Sequence, residues 1–247
     1  MTLTQIYEDV LTEFETDGWI SDVVQVLSSG KEGTVYCCRG GVRTDRELVA
    51  VKVYRPREHR TFRNDAVYQQ GRWIPDKRLR KAVASKSGVG RQVQASGWVG
   101  HEFETLQLLH GAGAAVPEPL ARSGQSLVMA YVGDIASPAP LLQHAEVPRA
   151  DAEPLFRRLL REIEFWLACG RIHADLSSFN ILLWRGEPTV IDFPQSVDPE
   201  VNPNAGNLLA RDVANVCRFF ARLGVRADAE MIAAGMWRRY LHRELRL

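Results

Sequence analysis

The stretch IHADLSSFNILLWRGEPTVIDFPQS, residues 172–196, decides how the rest of the chain is read. Asp175 and Asn180 stand five apart in a segment of loop character, and Asp192 follows at the end of a short apolar strand. Between them ILLW and TVI flank a tight Arg-Gly-Glu-Pro turn, which predicts a β-hairpin. A hairpin of that length returns Asp192 beside Asn180, so that a carboxylate and a carboxamide oxygen converge on one hard cation such as Mg2+. Asp175 can accept the proton of an attacking hydroxyl or orient that hydroxyl. His173 reads as a brace for the loop through hydrogen bonding rather than as a base. A single Asp or Asn in a loop is usually a cap. The spacing HxDxxxxN, with a strand-terminal Asp twelve residues later, is far more specific.

This layout serves phosphoryl transfer, where positioning and charge neutralisation supply most of the catalysis. It requires partners upstream. Lys52 lies inside the apolar strand LVAVKVY, where an unpaired ammonium would be costly. Nucleotide phosphates and a carboxylate from the following helix, Glu102 or Glu104, would serve as its anions. The plainer alternative is an edge-strand lysine pointing to water, with Val51 and Val53 facing inward. Between two predicted strands, SSGKEGTVY offers Ser29, Lys31 and a Gly30–Gly33 turn whose N–H groups can meet phosphate. That motif is weak by itself, matching neither GxxxxGK[ST] nor GxGxxG.

Outward from these motifs the chain reads as strands first and helices later. A short helix is predicted over 4–17, strands over 20–27 and 48–54, a helix over 98–109 and a buried strand over SLVMAYVG. Phe156, Leu159, Leu160, Ile163 and Trp166 or Leu167 make a helical stripe that Gly170 would end. Two further helices are predicted over 206–223 and 228–245. The 247 residues are 45% hydrophobic and 25% charged, with a net charge of +1, so bulk charge argues for neither nucleic acid nor membrane. No apolar run approaches the roughly 18 residues of a membrane span. Four cysteines without ligand spacing read as reduced thiols of a cytoplasmic protein. Residues 55–91 carry eleven Lys/Arg against three Asp/Glu, a local +8. Such a run is commonly a solvated loop, and here it is also the expected docking element for an acidic protein or RNA.

Taken together, SSGKEGTVY, AVKVY, HEFETL, VPEP, MAYVG, IHADLSSFNILL and VIDFPQSVD resemble the RIO family of atypical serine/threonine protein kinases over residues 20–224. The resemblance implies an α+β, two-lobed protein-kinase-like fold without a separate activation segment. It would be one domain over 1–247: a helical segment 1–19, a β-rich N-lobe 20–131 carrying the basic insertion, and a short helical C-lobe 132–247. It implies ATP and Mg2+ (or Mn2+) as cofactors, with protein phosphorylation, autophosphorylation or a slow ATPase switch as the activity. Ser29, Gly30, Lys31, Gly33 and Val35 would belong to the phosphate loop, and Lys52 would bind phosphates with Glu102 as its partner. Met129, Tyr131 and Val132 would form the hinge facing adenine. Asp175 would be the catalytic aspartate, and Asn180 and Asp192 would hold the metal. Some members pass phosphate to the metal-binding aspartate, which makes Asp192 a second catalytic candidate. The phosphoacceptor is an unidentified protein or the chain itself.

Some features depart from the family pattern. Ala130 stands where an acidic residue is frequent after the methionine, and Asn202 where a histidine is common. The wording DFPQ, the short length and the absence of a preceding winged-helix segment suit a stand-alone bacterial-type member. Small-molecule kinases of the aminoglycoside or choline type share the Asp–Asn–Asp layout but typically read HGDLHxxN. Ala174, Ser177 and Ser178 argue against them. A non-catalytic nucleotide-gated module would be expected to lose Lys52, Asp175 or Asp192, and all three are present.

Overall fold

The computed structural model describes residues 3–30, 33–55 and 88–246. Most of the basic stretch 55–91 therefore lies outside the described residues, as does Lys31. The described residues fall into two compact units. One comprises the residues before 56 together with 88–104 and 117–138, the other 105–116 and 139–246. Among the described residues no helix is long and apolar enough to cross a membrane.

The first unit is an antiparallel five-stranded sheet. Its strands are β1 (Ile20–Ser29), β2 (Gly33–Gly40), β3 (Leu48–Tyr54), β4 (Pro119–Ser123) and β5 (Ser126–Ala130), in the order β1-β2-β3-β5-β4. The near-continuous apolar run of β3 has its cause in this order, because the central strand is buried on both faces. Its side chains alternate between those faces. Val49, Val51 and Val53 join Phe14, Ile20, Cys38 and Val128, and Tyr7, Val10 and Leu11 of helix α1 (Leu3–Thr16) pack against that cluster. Ala50 and Tyr54 point the other way, packing with Val99, Leu127 and Met129. Lys52 shares that second face and is 8% exposed, which rules out the water-facing edge lysine.

Two elements of this unit differ from the sequence expectation. Helix α2 covers Gly88–Ala112, beginning ten residues before the predicted start. Gly88, Gly90 and Gly97 lower its helix propensity, which hides this early start from the sequence pattern. Strand β4 escapes prediction because VPEP reads as a turn. It lies at the sheet edge, with Pro119 as its first residue, where the missing N–H costs nothing.

The second unit is helical around one hairpin. Helices α3 (Arg149–Ala168), α4 (Ala205–Ala221) and α5 (Ala229–Leu241) pack with Leu106, Leu109 and Val116 in one core. The predicted stripe on α3 is buried at Phe156, Leu159, Ile163, Trp166 and Leu167, with Leu160 partly buried against the same core. Gly170 follows the helix with φ +72°, the left-handed position anticipated for it. Asp228 caps α5, its side chain accepting from the Met231 N–H at 3.0 Å. The hairpin consists of β6 (Ile181–Trp184) and β7 (Glu187–Val190), registered from Ile181 opposite Val190 to Trp184 opposite Glu187. Its two linking residues, Arg185 and Gly186, have φ +51° and +81°, the pattern of a type I′ turn.

Candidate active site

In the first unit the strand register brings Val35 opposite Lys52, and Lys52 opposite Leu127. Lys52 Nζ donates to Glu102 Oε1 at 2.8 Å and to Oε2 at 3.0 Å. Glu102 is 1% exposed, so the pair is buried on both sides and each charge depends on the other. The choice left open by the sequence falls to Glu102. Glu104 is largely exposed and lies 3.9 Å from Arg122. The Tyr54 hydroxyl also donates to Glu102 Oε2, and Lys52 Nζ sits 4.6 Å from the centre of the Tyr54 ring.

The predicted phosphate loop joins β1 to β2. Ser29 Oγ lies 3.1 Å from Thr34 Oγ1, and the Gly30 N–H donates to the Gly33 carbonyl at 2.9 Å. A Cβ on Gly33 would stand 2.3 Å from the Val53 carbonyl oxygen, so only glycine allows this close strand approach. Val35 packs, partly buried, on the same cluster as Met129. After β5 come Tyr131 and Val132, both half-buried. Tyr131 lines a groove of about 780 Å³ with Leu48, Gly133 and Asp134. Its hydroxyl donates to the Asp134 carbonyl at 3.3 Å, and burial pushes its pKa up to about 12. The Ala130 N–H is already given to the Glu118 carbonyl at 2.8 Å, so backbone recognition along this segment falls to its neighbours.

In the second unit the hairpin does the positioning. The Ile191 N–H donates to the Asn180 carbonyl at 2.9 Å, which continues the ladder one step past Ile181–Val190, so Asp192 directly follows the residue paired with Asn180. Asn180 Nδ2 donates to the Asp175 carbonyl at 2.9 Å, so its Oδ1 remains the side-chain oxygen for a cation. His173 Nε2 lies 3.1 Å from the Ile191 carbonyl and must be the donor there, since a carbonyl only accepts. Its Nδ1 then accepts from the Asp175 N–H at 3.3 Å. The ring rests against Phe193, 4.5 Å between centres. His173 thus braces the Asp175 loop against the Asp192 strand. Burial raises the Asp175 pKa; Arg211 opposes this and the Asp192 carboxylate adds to it.

Two residues, one before the hairpin and one after it, adopt backbone conformations that side chains disfavour: Ala174 at φ +66° and Asp192 at φ +72°. Each costs about 1–3 kcal/mol. One turn of α4 holds the first. Asp212 Oδ2 accepts from the Ala174 N–H at 2.7 Å and Oδ1 from the Leu176 N–H at 3.0 Å. Arg211 donates to the Ala174 carbonyl, and Asn215 Nδ2 to the Leu176 carbonyl at 2.9 Å. Hydrogen bonds contribute about 0.5–1.5 kcal/mol each, and the four together are enough for this clamp to outweigh the strain at Ala174. The sequence motifs gave no role to Arg211, Asp212, Asn215 or Tyr54. A carboxylate at a helix position among Leu208, Leu209, Val213 and Val216 was the available signal for Asp212.

Each unit holds donors whose chemistry suits part of Mg2+–ATP: in the second, Asn180 and Asp192 could offer hard oxygens to a cation, and in the first, Lys52 could offer a buried ammonium to phosphate. Among the described residues no cluster of three or more His, Cys, Asp and Glu forms a metal cage. Phosphate oxygens would complete the coordination shell.

The RIO domain family model matches residues 34–232. The chain is 35% identical over 209 residues to the serine/threonine-protein kinase RIO1 of Caenorhabditis elegans, covering 84% of this chain and 39% of that protein. It is also 35% identical over 217 residues to the RIO-type serine/threonine-protein kinase Rio1 of Haloferax volcanii, covering 87% of this chain and 69% of the archaeal one. In three dimensions it is similar to the Rio2 kinase–ADP/Mg2+–phosphoaspartate complex from Chaetomium thermophilum. That match has a TM-score of 0.64 at 24% identity over 86% of this chain and 59% of the other. A second structure of the same fungal kinase gives a TM-score of 0.65 at 23% identity, covering 91% and 66%. The fold is therefore the α+β fold of a RIO kinase, and the chain belongs to the RIO domain family.

Proposed function

We propose that this chain transfers the γ-phosphoryl group of Mg2+–ATP as a RIO-type serine/threonine protein kinase, and that it hydrolyses ATP slowly when water is the acceptor. The observation that carries the reading is the hairpin register. The 2.9 Å bond from Ile191 to Asn180 joins the segment before the hairpin to the one after it, and Asn180 Nδ2 donates to the Asp175 carbonyl, which supports a shared role for Asp175, Asn180 and Asp192. The names of the relatives and the ADP, Mg2+ and phosphoaspartate of the fungal Rio2 complex support it. Bound Mg2+ would neutralise charge on the phosphates. Asn180 and Asp192 would hold it, and Lys52, kept in place by Glu102, would meet a phosphate. Ser29, Gly30, Lys31, Gly33 and Val35 would border the phosphates, and Met129, Tyr131 and Val132 the base. Asp175 would orient the acceptor hydroxyl and take its proton as the bond to the β-phosphate oxygen breaks. Asp192 is itself the acceptor in the variant that forms an acyl phosphate.

We assign a docking role to residues 55–91 on their local +8, which would steer an acidic protein or RNA. The free thiols Cys37, Cys38, Cys169 and Cys217 support a cytoplasmic location.

The test is single-turnover labelling with γ-32P-ATP, with and without cell extract, separating free phosphate, labelled chain, labelled protein and labelled small molecule. Label on protein or as free phosphate, abolished in Asp175→Asn, is expected. Label on a small molecule would favour an aminoglycoside- or choline-type kinase. Absence of both ATP binding and transfer would overturn the proposal.

A further inference from the structure

We propose that Tyr54 is a positioning residue that holds Glu102 independently of Lys52, so that the lysine can be shared between this carboxylate and a nucleotide phosphate. The inference rests on the ATP reading above and assigns it one more residue. Tyr54 follows Lys52 by two positions on β3, so both side chains project from the same face of the sheet toward α2. The tyrosine is fully buried, and its ring is fixed among Ala50, Val99, Leu127 and Met129. Its hydroxyl donates to Glu102 Oε2, the same oxygen that Lys52 reaches at 3.0 Å. The ammonium also lies 4.6 Å from the ring centre, within reach of its negative face.

The three groups divide the labour unequally. A lysine is a flexible stem ending in a point charge, and any phosphate it meets competes with Glu102 for that charge. Glu102 is buried, so a weakened ion pair would leave its carboxylate short of compensation. Tyr54 turns about only two side-chain bonds and is packed on both sides, so its hydrogen bond persists while the lysine moves. The residue is therefore more than packing. A phenylalanine would keep the ring, the burial and the contact with the ammonium, and lose the hydroxyl's hold on Glu102.

That difference is the experiment. The Kd of Mg2+–ATP is measured by equilibrium titration for the wild type, Tyr54→Phe, Glu102→Ala and the double variant. Amide exchange over residues 99–106 is followed in the same four proteins without nucleotide. Tyr54→Phe is expected to weaken ATP about tenfold, the equivalent of one hydrogen bond to a charged group. In the Glu102→Ala background it should change affinity less than about twofold, because nothing is left to hold. Exchange over 99–106 should quicken about tenfold in Tyr54→Phe alone. Wild-type affinity and exchange in Tyr54→Phe would overturn the inference, as would an equal loss with Glu102 already removed. If the wild type binds no ATP, the nucleotide reading falls, and exchange alone decides the hold on Glu102.

Discussion

Lys52 and Asp175 are held in place by different means. Lys52 stands on the central strand of a five-stranded sheet, its position fixed by register with Val35 and Leu127. It is paired with the buried carboxylate of Glu102, 2.8 Å away. Asp175 stands on a loop beside a residue at φ +66°, and bonds to other elements help that loop keep its shape: Asp212, Arg211 and Asn215 on α4, and His173 reaching to Ile191. In the first case regular structure positions the group and a charge pair compensates its burial. In the second the backbone itself is strained and side chains supply the order. Damage should therefore travel differently. Changes around the lysine register in stability and binding together, and changes around the aspartate register in chemistry, with stability following where the backbone clamp itself is cut.

The largest effect expected is that of Asp175→Asn. Turnover should fall about 10²–10⁴-fold while ATP affinity stays within a few-fold, read by single-turnover transfer beside equilibrium titration. Equal loss of binding would erase the distinction. Lys52→Ala should show the opposite signature. It leaves the Glu102 charge buried, costing about 3–5 kcal/mol of stability, lessened by the Tyr54 hydrogen bond, and ATP affinity falls with it. Urea unfolding measures the first part, and an undiminished midpoint would mean the pair is not a stabilising element.

Asp212→Ala sharpens the comparison from the loop side. Two backbone N–H groups lose their acceptor, at about 1–3 kcal/mol each, and Ala174 is released from its left-handed conformation. Melting temperature and turnover should fall together while the Lys52–Glu102 pair is untouched. Preserved turnover would show that the loop holds its shape without the clamp. In Asp192→Ala, the Mg2+-dependent part of the thermal shift given by ATP should vanish and the Mg2+-independent part remain. A full shift would remove Asp192 from the cation site.

The smallest expected effect is a slope with pH. Burial pushes the Asp212 carboxyl up to about 7 from 3.8, against the pull of the Leu176 and Ala174 N–H groups and of Arg211, with Asp175 adding to the rise. A raised carboxyl pKa means that the folded protein keeps a proton the unfolded chain has released. This group's contribution to stability is therefore greatest below about pH 4 and is lost as pH rises toward about 7. Asp212→Asn should flatten urea-unfolding stability over that window. An unchanged slope would place the titration elsewhere.

Local pattern carried most of this into the sequence. The hairpin was legible because alternation, turn residues and length all lie within residues 181–190, and the period of β3 put Lys52 on one defined face. The strand β4 was not legible, since Pro117 and Pro119 signal a turn and only an edge position reconciles the second with a sheet. The early start of α2 was hidden by its glycines. The long-range partners were hardest to see. Nothing near Ala174 announces that its N–H will meet a carboxylate 38 residues on. Likewise nothing in LVAVKVY tells whether the final tyrosine hydroxyl meets water or Glu102. Spacing reports what a segment can do, and the clamp depends on which helix turn packs behind it.

The two-residue turn at Arg185 and Gly186 makes the hairpin a ruler. With four residues on each side and no slack at the tip, the register that turns Ile181 and Val190 into the core also fixes how far along the return strand Asp192 lies. A slip of one residue would expose both apolar side chains and carry Asp192 out of step with Asn180. Chain length in this hairpin is thus under two constraints at once, one from the oil-like interior and one from the charged site. An added residue at the tip, harmless in most surface loops, would here be read out as a misplaced carboxylate.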